Sequence, residues 1–100
     1  MSDNIKLMLK FFNQSNKADL FTKIGYFKKS ITVNEFRENV EDILATENAQ
    51  LRINRITFID KEFQEEVDLP KSNFIFEHLQ GFKIFCDVSF FTIYNSLFNQ

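Results

Sequence analysis

A single cysteine, Cys86, leaves the chain without the pairs an internal disulfide framework needs. No apolar run reaches the length of a membrane-spanning helix, so no membrane partner is expected. MSDNIKLMLKFF lacks the charge order and unbroken apolar core of a signal peptide, so a cytoplasmic setting is expected. One proline and two glycines mean that turns must rest on Asn, Asp and Ser, which cap or tolerate turn backbones. There is one histidine, His78, and neither a glycine-rich phosphate loop nor a cluster with metal-ligand spacing. Cys86 falls between Ile84 and Val88 in the buried phase of a strand, where a thiol is a small hydrophobe rather than a nucleophile. Neither an enzyme nor a cofactor site is expected.

What is present in excess is phenylalanine, 14 among 100 residues, enough bulk for one small domain to build a core. At 44% hydrophobic and 26% charged the composition is that of a globular chain. The strongest local signal lies in TVNEFRENVEDILATE, Thr32 to Glu47. Thr32 and Glu35 have capping-box spacing, and Ile31 and Phe36 that of a hydrophobic staple. Val33, Phe36, Val40, Ile43 and Leu44 form one apolar stripe at helical period, which predicts a helix lying on a sheet.

Around that helix, alternation predicts strands. Ile5 to Phe12 places Ile5, Leu7, Leu9 and Phe11 on one face and Lys6, Met8, Lys10 and Phe12 on the other. Asn13 to Asp19 is the hairpin loop, and Leu20 to Phe27 the returning strand, whose weak alternation leaves its register open and suggests a bulge at Gly25. Ile53 to Ile59 turns Ile56 and Phe58 inward and Arg55, Thr57 and Ile59 outward. An acidic turn from Asp60 to Glu66 leads to a short strand, Val67 to Leu69. Ser72 caps a short helix from Asn73 to Gln80, with Gly81 closing it. Phe82 to Phe91 is the last strand, and 92–100 is a tail. The expected fold is α+β: a mixed four- to five-stranded sheet packed on one long helix, in the order β-β-α-β-β-(short α)-β. A parallel first and last strand would need a right-handed crossover.

In this order the chain resembles the ubiquitin-like β-grasp superfamily over residues 4–91, as a single domain. It is similar to Phox/Bem homology interaction domains, which pair a first-strand lysine with an acidic motif. Lys6 or Lys10 matches the former, and Ile56 to Glu62 followed by Glu65 and Glu66 matches the latter. Asp60-Lys61-Glu62-Phe63 through Val67-Asp68-Leu69 also resembles the ubiquitin-like N-terminal domain of the flagellar-pocket-collar scaffold and similar cytoskeletal coiled-coil proteins. These resemblances imply a docking or self-associating module at the head of a longer assembly protein. Ser96 to Gln100 carries no Gly-Gly pair, so a conjugated modifier is not expected.

In such a sheet the uncovered face would carry Lys6, Met8, Lys10, Arg55, Ile59, Lys83 and Phe85. Basic residues around exposed apolar ones make a protein-docking surface; the alternative is that they only cover the sheet. Asp60, Glu62, Glu65, Glu66 and Asp68 form an acidic surface, read either as a solvated turn or as a contact for a basic partner, a neighbouring copy included. The acids lack the glycine and ligand order of an EF-hand. A net charge of −2, with acids concentrated in the helix and the turn, argues against nucleic acid despite the basic first strand. Two rival readings remain: a small OB-type subunit of a nucleic-acid complex, which needs three strands before the helix, and a small inhibitor or immunity-type protein acting through its acidic turn.

Overall fold

A computed structural model of the protein describes residues 3–72, 74–76 and 81–88. The chain runs β1 (Asn4–Asn13), β2 (Asp19–Lys28), α1 (Val33–Glu47), β3 (Leu51–Ile59), β4 (Glu66–Asp68) and β5 (Gly81–Val88). The five strands form one mixed sheet in the order β2-β1-β5-β3-β4. β1 and β5 pair in parallel at its centre, and the other neighbours are antiparallel. The fold is therefore α+β, with one helix and a mixed five-stranded sheet. The short helix expected from Asn73 to Gln80 and the tail 92–100 lie largely or wholly outside the described residues, as does His78. Phe74 to Phe76, which are described, have no regular secondary structure.

The helix begins where its capping box lies. Glu35 N–H donates to Thr32 Oγ1, and Thr32 N–H donates to Glu35 Oε1, each at 3.1 Å. Val33, Phe36, Val40 and Leu44 are its buried residues. They meet Ile5, Leu7, Leu9 and Phe11 of β1, Phe27 of β2, Ile56 and Phe58 of β3, and Phe82, Ile84 and Cys86 of β5 in one core. Phe36 is the hub. Its ring centroid lies 5.1 Å from Phe27, 4.8 Å from Phe76 and 4.8 Å from Phe82. Arg37 ties the helix to the segment after β4, donating to the Leu69 carbonyl at 3.2 Å.

Thr32→Ala should cost about 1 kcal/mol, the usual loss for an N-cap hydroxyl, measured by urea unfolding. The hydrogen bonds from Thr32, its backbone N–H first and then its hydroxyl, hold the Glu35 carboxyl below its ordinary value. The ionised carboxylate thus supports the fold at neutral pH. That support is lost as pH falls through the lowered value. Glu35→Gln should therefore flatten this part of the acid side of the stability profile.

The weak alternation of β2 has a specific cause. Gly25 lies on the inner side beneath the ring of Phe27: a Cβ there would stand 2.5 Å from Phe27 Cε2. Gly25 is thus the seat of a core ring and not a bulge. The register shift lies instead between Phe11 and Phe12, opposite Leu20. Phe11 and Phe21 stack inward at 4.3 Å, while Leu20, Ile24 and Tyr26 stand exposed on the other face. A second shift, between Ile53 and Arg55, sets Asn54 aside, and its amide donates to the Asp87 carboxylate.

Candidate protein-docking face

Strand alternation in β1 decides what the outer face presents. Leu7 and Leu9 are fully buried, so Met8 between them points away from the helix and is 42% exposed, with Lys6 and Lys10 exposed on either side. Met8 pairs with Ile24 of β2 on one side and with Gly81 of β5 on the other. Carrying the Thr57–Lys83 pairing on by one pleat sets Ile59 of β3 across from Gly81. An apolar row, Ile24–Met8–Gly81–Ile59, thus crosses four strands. Gly81 offers no side chain, and the row dips there into a cavity of about 250 Å³. Met8, Lys10, Ile59 and Lys83 line this notch, with Gly81 and the buried rings of Phe58 and Phe82.

Lys6, Met8, Lys10 and Ile59 are exposed, as the sequence predicts. Phe85 is a correction. It is only 8% exposed, because its ring stacks on Phe12 at 5.6 Å and Lys17 Nζ sits 4.8 Å from its centroid. The outer face closes over itself at that end, and Phe85 offers no surface to a partner. Arg55 and Lys83 are not bare charges either. Arg55 pairs with Asp68, and Lys83 Nζ lies 3.2 Å from Glu66. The two pairs flank Thr57, which stands between Lys83 and Asp68 in the ladder and is fully buried although it faces outward.

Pairing across the sheet also changes the acidic surface. Asp60 Oδ1 accepts from the N–H groups of Glu62 and Phe63, so this carboxylate builds the turn. Gln64 adopts a left-handed backbone (φ 55°), and its N–H donates to the Asp60 carbonyl at 2.7 Å. With Glu66 and Asp68 paired, Glu62 and Glu65 are the two acids of the five that form no ion pair or carboxylate hydrogen bond with a described residue. The expected separation of a basic face from an acidic turn is therefore partly annulled within the chain.

Sequence reasoning missed Ile24 and Tyr26, which are 44% and 68% exposed and extend the apolar surface onto β2. Only the pairing with Met8 and Lys6 carries the outer face onto them.

Cys86 lies inside the core at 0% exposure. Burial first, and then the neighbouring Asp87 charge, pushes its thiol up to about 11. A disulfide reagent at pH 8 should label the folded protein at least about 100-fold more slowly than the denatured one, since each unit of pKa removes tenfold of thiolate. Equal labelling rates would show that this strand opens freely.

Among the described residues no helix is long and apolar enough to cross a membrane. Comparison with family models, with curated proteins and with solved structures found no match.

Proposed function

We propose that this chain is a ubiquitin-like β-grasp module without enzymatic activity, which docks protein partners on the outer face of its sheet. The carrying observation is the exposed row of Ile24, Met8 and Ile59 around the Gly81 notch, with Lys6 and Lys10 beside it. Contiguous apolar surface of this kind, edged with charge, is costly to leave in water without a purpose. The central parallel β1–β5 pair and the order β2-β1-β5-β3-β4 support the β-grasp reading. Two strands, not three, precede the helix, which disfavours the OB barrel. A cytoplasmic scaffold or cytoskeletal assembly protein as the parent rests on the sequence resemblance alone. Self-association through Lys6 or Lys10 and the acidic turn is the weaker mode, because only Glu62 and Glu65 remain for it.

Met8→Glu combined with Ile59→Glu tests the docking face. Both residues are about half exposed, so the fold should survive, as read by circular dichroism. Proteins captured from the native source by the wild type should be lost. Undiminished capture by the double variant would overturn the reading.

A further inference from the structure

β2 is a terminal strand of the sheet, so one of its edges has no neighbouring strand among the described residues. The direction of its backbone groups can be worked out. Lys29 N–H donates to the Asp3 carbonyl at 2.8 Å, one step beyond the Asn4–Lys28 pair of the same ladder. Hydrogen-bonded pairs alternate in an antiparallel ladder. Phe27, Gly25, Lys23 and Phe21 therefore turn their polar backbone groups toward β1, and Thr22, Ile24, Tyr26 and Lys28 turn theirs to the open edge. Folded proteins commonly blunt such an edge with proline, a short strand, a bulge or an inward charge. Beyond the register shift at Leu20, β2 runs on from Phe21 to Lys28 without proline, and presents Ile24 and Tyr26, 44% and 68% exposed. Its one inward lysine, Lys23, is held down by Glu47 at the end of the helix.

We propose that two copies of this chain form a twofold dimer in which β2 pairs antiparallel with β2, Ile24 facing Ile24 across the axis. The parity of the edge groups requires a residue pair on the axis, and among the three central residues the side chains favour Ile24. Centring on Lys23 sets two lysines against each other. Centring on Gly25 sets Lys23 against the phenyl ring of Phe27. Centring on Ile24 sets Thr22 opposite Tyr26 and Phe21 opposite Phe27, with no like charges facing. The Ile24–Ile24 pair and the two Thr22–Tyr26 pairs alone supply about six backbone hydrogen bonds. The axis stands normal to the sheet, so both outer faces lie on the same side. The apolar row then runs unbroken from Ile59 of one copy to Ile59 of the other. The dimer uses an edge and leaves the Gly81 notch open, so its failure leaves the docking reading untouched, and the reverse also holds.

Directly opposed residues in a hydrogen-bonded pair have Cα atoms about 5.5 Å apart, within reach of a disulfide. Under mild oxidation Ile24→Cys should cross-link to a dimer about tenfold faster than Thr22→Cys, whose thiols would be offset along the strands. Buried Cys86 does not compete. Light scattering should show the wild-type mass doubling over a concentration series. Thr22→Pro, which deletes an edge-facing N–H but no β1 bond, should stay at the mass of one chain. Equal cross-linking of the two cysteine variants, or a wild type that holds the mass of one chain at millimolar concentration, overturns the dimer.

Discussion

Replacing Phe36 by alanine should remove about 3–5 kcal/mol of stability, the range for truncating a fully buried phenylalanine. Phe36 is 0% exposed and touches rings from three different parts of the chain: Phe27 of β2, Phe76 before β5, and Phe82 in β5. Those rings brace one another further, Phe76 against Phe82 at 5.8 Å and Phe74 against Phe76 at 4.9 Å. A cavity at the hub cannot be closed by moving a single neighbour, so the upper part of the range is expected. Small domains hold only about 5–15 kcal/mol in total, and Phe36→Ala should be partly unfolded at physiological temperature. Urea melts of Phe36→Ala and Phe36→Leu decide the matter. If alanine costs no more than leucine, the helix does not rest on this cluster.

Gly81→Ala is expected to be the next most damaging change. A Cβ at Gly81 would lie 2.5 Å from the Met8 carbonyl oxygen and 3.3 Å from Met8 Cβ. The obstacle is backbone, in the first pair of the central parallel ladder, and β1 cannot yield without disturbing its pairing with β2. Overpacking of this kind costs roughly 1–3 kcal/mol, and Gly81→Val should reach or exceed the upper figure. The thermal midpoint of each variant measures this directly. A Gly81→Ala protein as stable as the wild type would mean that the two strands sit further apart than described. Because Gly81 also forms the notch, its substitution confounds stability with docking. Met8 and Ile59 are the better probes of the face.

How much of this was legible beforehand varied with the range of the physics involved. The helix was readable because its signals are local: a capping box within four residues and a stripe repeating every third or fourth position. The phases of β1, β3 and β5 were readable for the same reason, since alternation along one strand sorts inner from outer residues. β2 was not, because Gly25 answers to the Phe27 ring above it, and Leu20 is set out of register by how Phe21 and Asp19 pair with Phe11 and Phe12 on another strand.

The candidate face divides in the same way. Met8, Lys6, Lys10 and Ile59 stand exposed because strand alternation alone turns them outward. Phe85 shares that phase and is nonetheless covered, because Phe12 and Lys17, remote in sequence, come over it. Arg55 and Lys83 had the right direction but not the right company, since Asp68 and Glu66 reach them only when β4 pairs with β3. By itself, then, the sequence determined which residues form the helix and which way most strand side chains point, through interactions between near neighbours. Only the tertiary structure decided which outward residues stay bare, which charges cancel, and that a glycine opens a notch in the apolar row. Those outcomes depend on pairing between strands far apart in the chain, and no local period encodes it.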